Sequence, residues 1–153
     1  MLLENFGADL DEVTVHEVMS DIERRYYRLS PVYEFGLDDE AKSAIVEHLL
    51  LKCPAPLIYA VRKEEPTEET DHLRIVRGNA WIAAISAFLN NEFALTGLIA
   101  YPELNGKRFD ELSGTLQWRL ETSRLTFVNL SFEGDDAEND QNVFVRRLHK
   151  LLA

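Results

Sequence analysis

The chain has 153 residues, 46% of them apolar, which suits one domain with its own core and is too hydrophobic for a disordered chain. Its 16 basic and 27 acidic residues give a formal net charge of −11. That excludes a general nucleic-acid or anionic-membrane binder, which needs a basic face to neutralise phosphate.

The first residues, MLLENFGADLDEV, place acids where an export signal would carry lysines. No apolar run reaches ~18 residues, so neither export nor a membrane span is expected. Val15, Val18, Met19 and Ile22 recur at helical spacing and predict a helix over 13–25, with Thr14 as N-cap. A short strand at 26–30 follows, and Pro31 disfavours helix at Ser30 and opens a loop. A second helix is predicted over 37–52. Asp38 caps it, Asp39 and Glu40 suit its positive end, and Ala41, Ile45 and Leu49, with Ala44 and Leu50, form its apolar stripe.

Cys53, the only cysteine, rules out an internal disulfide and points to a reducing cytoplasm. Its apolar setting predicts a buried, inert thiol. Residues 57–61 read as a buried strand. Five acids in 64–71 and five more in 133–140 read as two solvated loops; the other reading is a surface that imitates DNA or meets a basic partner. Between them, Leu73 to Val76 predicts a strand, Arg77 and Gly78 a turn, and Asn79 the start of a helix. Residues 93–98 are a short strand or an extended loop. Asn105-Gly106 marks a turn, with a short helix from about Asp110 and another over 115–122. Leu125, Phe127 and Leu130 alternate in a half-buried strand over 124–132, and a closing helix spans 142–152. Strands alternating with helices predict one domain of mixed α and β content, without repeats or linkers.

Chemistry is sparse. The histidines His16, His48, His72 and His149 have no metal-ligand spacing, so no metal is expected. There is no nucleophile elbow and no phosphate-binding Walker loop. The one suggestive feature is the turn at Gly78. Amides at a helix N-terminus hold anions, and Arg77 adds charge. The plainer reading is a strand–turn–helix in which glycine permits a tight approach.

The stretch from Phe88 to Leu130 carries a resemblance. Phe88, Leu89, Asn91, Phe93 and Leu95, then Pro102 to Gly106 with Phe109 and Leu112, then Leu116, Gln117 and Arg119, recur in this order in one family. The chain resembles the N-terminal domain of GmrSD-type restriction endonucleases, in the ParB/sulfiredoxin-like superfamily. The likeness extends to Ser43, Ile45 and the leucines before Pro54 and Pro56, and covers roughly 13–150. It implies an α+β fold, a ParB/sulfiredoxin-like mixed sheet packed with helices in a single compact domain spanning residues 1–153.

Three family motifs are altered. The family's Asp-Gly-Gln-Gln-Arg, associated with nucleotide binding and hydrolysis, corresponds to Arg77, Gly78, Asn79, Ala80 and Trp81; only the glycine remains. Its Pro-x-Tyr-Gln-Arg, followed by a tryptophan, corresponds to Pro31, Val32, Tyr33, Glu34 and Phe35, with the Gln-Arg pair and the tryptophan gone. Its Phe-x-Arg-Leu-Asn corresponds to the stretch from Phe144, with Phe144, Arg147 and Leu148 kept and His149 in place of the asparagine. Each lost charge-assisted hydrogen bond weakens binding by roughly 1.5–3 kcal/mol, and several together remove most nucleotide affinity.

The expectation is therefore a non-catalytic binding or regulatory protein with no catalytic residue and no cofactor. It acts in or against a phage-defence system through a protein partner, either an intact relative or a second copy of itself. The aromatics Tyr26, Tyr27, Tyr33 and Phe35 offer a dimer surface, or belong to the domain's own core. The alternative is a nucleotide-binding or NTP-hydrolysing domain with a rebuilt phosphate site. In that reading Arg77, the amides after Gly78, Arg146 and Arg147 hold phosphate, and Trp81 stacks on a base. Plainer roles are a groove-filling Trp81 and a solvated arginine face.

Overall fold

A computed structural model describes residues 6–29, 36–62, 73–132 and 137–152. In chain order the elements are β1 (Phe6–Thr14), α1 (Val15–Glu23), β2 (Tyr27–Arg28), α2 (Asp39–Leu50), β3 (Ile58–Arg62), β4 (Leu73–Arg77), α3 (Asn79–Leu89), α4 (Gly114–Glu121), β5 (Arg124–Phe132) and α5 (Ala137–Leu151). The strands form one mixed sheet in the order β1-β5-β3-β4-β2. The β1–β5 and β3–β4 pairs are antiparallel, and the β5–β3 and β4–β2 pairs are parallel. The fold is thus an α+β domain with a mixed sheet, as the sequence predicts.

Each face of the sheet has its own core. On one face Ile58, Ala60, Leu73, Ile75, Leu125 and Phe127 pack against α1, α2, α3 and α4. On the other, Val61, Val76, Val128, Leu130 and Phe132 pack against Val145 of α5. β5 is therefore buried on both sides, not half-buried as its alternation suggested. The reason is that α5 covers the face that the sequence pattern assigned to solvent.

Helix starts follow the residues expected. Thr14 accepts from the Glu17 amide at 3.2 Å and Asp38 from the Ala41 amide at 2.8 Å. Helix ends share one device. In α1, α2 and α3 the residue after the C-cap is left-handed: Arg25 (φ 61°), Lys52 (φ 59°) and Asn91 (φ 58°). In each, paired reverse bonds close the turn, such as the Cys53 amide to the His48 carbonyl and the Lys52 amide to the Leu49 carbonyl. This is the Schellman arrangement, here without the usual glycine.

Several expectations shift. Val13 lies in β1, not in the first helix, because the chain from Phe6 pairs along the whole of β5. In α2 the buried residues are Ser43, Ile45, Val46, Leu49 and Leu50. Ala44 is exposed, since the inward face is rotated toward Ser43. The stretch at 93–98 is the extended loop, not a strand. α5 begins at Ala137, so the end of the second acidic stretch is helical. The first acidic stretch, Glu64 to Asp71, lies outside the described residues.

Residues 90–113 form an ordered connection held by polar side chains. Asn91 Oδ1 accepts from the Asp110 amide at 2.9 Å, and Asn105 Oδ1 accepts from the Leu98 amide at 2.9 Å. Gln117 Nε2 donates to the carbonyls of Phe109 and Leu112. From α2, Ser43 Oγ accepts the Thr96 amide while donating to the Asp39 carbonyl. The Glu47 carboxylate accepts the amides of Ile99 (3.3 Å), Ala100 (2.9 Å) and Tyr101 (3.1 Å). Asn91, Asn105, Gln117 and Ser43 are all residues of the resemblance, and each has a structural task.

Candidate functional site

The turn between β4 and α3 is built from the strand outward. β4 carries one extra residue opposite β3: Tyr59 pairs with Arg77 and Ala60 with Ile75, leaving Val76 as a bulge. A bulge reverses the alternation beyond it. Arg77 therefore turns to the α5 side of the sheet instead of following Ile75 toward α2. There its guanidinium donates to the Leu152 carbonyl and reaches His149 Nδ1 at 3.4 Å. That geometry asks Nδ1 to accept, hence a ring with its proton on Nε2. Arg77 thus ties the end of β4 to the last turn of α5, where exposed carbonyls favour a cation.

Gly78 sits at the N-cap of α3 with φ 99° and no side-chain cap. A Cβ there would run into Ile58 Cδ1, well inside van der Waals contact. The glycine is required by conformation and by close approach, which is the plainer of its two expected roles. Asn79 is 2% exposed and points backward, its Nδ2 donating to the Ile75 carbonyl at 3.0 Å. Trp81 is half-buried against the α2 side, edge-on to His48 at 5.4 Å. His48 in turn contacts the Pro54 carbonyl at 2.8 Å. Arg146 and Arg147 are exposed on α5.

The expected site residues thus fall into separate places. Arg77 and His149, from two motifs 72 residues apart, come together. Trp81 lies on the opposite side of the sheet, and Arg146 and Arg147 face outward. Glu34 and Phe35 lie outside the described residues. Of the aromatic group, Tyr33 is also outside them, and Tyr27 is 2% exposed in the domain's own core, tilted against Phe127 with ring centroids 4.6 Å apart.

Two features escaped the sequence reading. One is a buried polar pair on the α1–α4 face: Tyr27 Oη and Asn129 Oδ1 are buried without completing a hydrogen bond. Burial pushes the Tyr27 phenol up to about 12. Its only sequence signal is an asparagine inside an apolar strand. The other is a cavity of about 360 Å3 between the ends of α2 and α4, bordered by Lys52, Cys53, Trp118, Arg119 and Arg124. Cys53 is half-buried at this cavity, not sealed in the core as its apolar neighbours suggested. A groove of about 300 Å3 between α1 and α3 carries mixed charge, with His16, Glu23 and Glu121.

Among the described residues no cluster of three or more His, Cys, Asp or Glu is placed to hold a metal. Among them, too, no helix is long and apolar enough to cross a membrane. No family model, curated protein or solved structure matches the chain.

Proposed function

We propose that this chain is a non-catalytic binding or regulatory protein, a relative of the GmrSD N-terminal domain whose nucleotide site has been converted into a structural joint. It acts in or against a phage-defence system through protein contacts, with an intact relative as partner. The observation that supports this reading is the Arg77–His149–Leu152 contact. Two of the motifs that resemble nucleotide-site motifs meet in space, and here they bond to each other. A guanidinium already engaged by a helix-end carbonyl and an imidazole is poorly placed to hold a triphosphate, because those bonds would first have to break.

The buried, inward-facing Asn79 and the Trp81 packed against His48 support it further, since neither side chain is directed at a ligand beside Gly78. The experiment pairs this chain with an intact relative that carries the Asp-Gly-Gln-Gln-Arg motif. Sedimentation and NTP hydrolysis are measured for each alone and for the mixture. The expected result is no hydrolysis of ATP, GTP or CTP by this chain, a stoichiometric complex, and a changed rate for the relative. Turnover by this chain alone, or no complex with any intact relative, overturns the reading.

A further inference from the structure

We propose that the cavity between the C-terminal ends of α2 and α4 binds a small aromatic anion of nucleoside-monophosphate size and charge. The proposal is independent of the function argued above and concerns a different part of the fold. At about 360 Å3 the cavity falls in the range of small-molecule sites. Its lining carries three cations, Lys52, Arg119 and Arg124, and no acid, in a chain with 27 acids and 16 bases. Trp118 stands on the same lining with 66% of its surface exposed. Such a ring in water is available for stacking, and a planar base stacks well on an indole.

Cations beside helix C-termini often serve the helix itself, by bonding its last carbonyls. Here three carbonyls at the end of each helix have other partners. In α2 the carbonyls of Glu47, His48 and Leu49 accept from the amides of Leu51, Cys53 and Lys52. In α4 the Trp118 and Leu120 carbonyls accept from the Thr122 and Ser123 amides, and the Arg119 carbonyl from the Ser123 hydroxyl at 2.9 Å. Among the described residues Lys52 and Arg119 have no ion pair. Arg124 pairs with Glu12 at 3.1 Å through one terminal nitrogen and keeps further donors. Three cations around an indole therefore offer a phosphate its counter-charge and a ring its platform. The left-handed turn at Lys52 fixes where the ammonium stem begins, a position that glycine would fill with less strain.

Two readouts on the intact chain test this. Cys53, the only cysteine, borders the cavity, so an occupant protects it from a thiol reagent. Trp118 and Trp81 are the only tryptophans, so Trp81→Phe leaves Trp118 as sole emitter. The probes are AMP, CMP, adenosine and inorganic phosphate. AMP and CMP are expected to quench Trp118 saturably at up to millimolar concentration, to slow Cys53 labelling, and to bind about tenfold tighter than phosphate or adenosine. Trp118→Ala and Arg119→Gln are each expected to weaken AMP about tenfold. Lys52→Gly does the same while relaxing the turn, so loss of binding there is not loss of fold. No saturable signal overturns the assignment, as does equal affinity for AMP and phosphate. AMP binding that ignores all three substitutions and responds to Arg77→Gln also overturns it.

Discussion

Gly78→Ala tests whether the glycine at the head of α3 is a packing requirement. The substitution has two costs. At φ 99° an L-residue is strained by about 1–2 kcal/mol. The new Cβ would also collide with Ile58 Cδ1 and lie 3.3 Å from its Cγ2 and 3.5 Å from its Cα. Cδ1 can rotate away, but Ile58 is 0% exposed and has no empty space to enter. Overpacking of this kind costs roughly 1–3 kcal/mol. The total of about 3 kcal/mol corresponds to a melting point lowered by roughly 6–12 °C in a chain of this size. Urea denaturation followed by circular dichroism measures it, with Ile58→Val made in both backgrounds. Alone, Ile58→Val costs about 0.5–1.5 kcal/mol. In the Gly78→Ala background it removes the clashing methyl, so the cycle is expected to show about 1 kcal/mol of favourable coupling. A Gly78→Ala protein as stable as the parent, or a cycle with no coupling, would refute the packing account and return the glycine to a ligand.

Arg25 is exposed and left-handed at the end of α1, so Arg25→Gly is expected to stabilise by about 1 kcal/mol, read as a higher urea midpoint; destabilisation would contradict the Schellman reading. Glu47→Ala leaves the amides of Ile99, Ala100 and Tyr101 without their acceptor; a loss of about 2 kcal/mol and faster hydrogen exchange at those three amides are expected, and unchanged exchange would show the carboxylate to be incidental. Tyr27 ionises near 10 in the unfolded chain and near 12 when folded. The unfolded state therefore loses its proton first, and stability falls as pH rises from 10 to 12, by up to about 2 kcal/mol. Tyr27→Phe removes this fall without loss of stability at neutral pH, because the hydroxyl it deletes is buried without a hydrogen bond; a variant that keeps the same alkaline decline would sink this assignment.

Local signals were legible where the responsible groups are adjacent in sequence. Thr14 and Asp38 cap the helices they were expected to cap, and Gly78 opens α3, because a cap is a bond across three residues. What depends on distant partners was not legible. The Phe6–Thr14 strand has only one buried residue, Val13, and exists because β5 offers it an edge. The second buried face of β5 depends on α5, which follows it in the chain and folds back over it. Arg77 was legible as a cation beside the glycine, but its direction is set by the Val76 bulge, which has no composition of its own. The cluster of Lys52, Arg119 and Arg124 unites residues from two helix ends and a strand start, so no spacing announces it.

The N-terminal strand also protects its neighbour. β5 is buried on both faces for most of its length, and β1 occupies one of its two edges for nine residues. The outer side of β1 is lined by the backbone of a segment rich in charge, Asp9, Asp11 and Glu12, which discourages strand addition by another chain. Trimming the first 14 residues would exchange that acidic border for the bare edge of Leu125–Phe132. The shortened chain would then be prone to stack into fibrils.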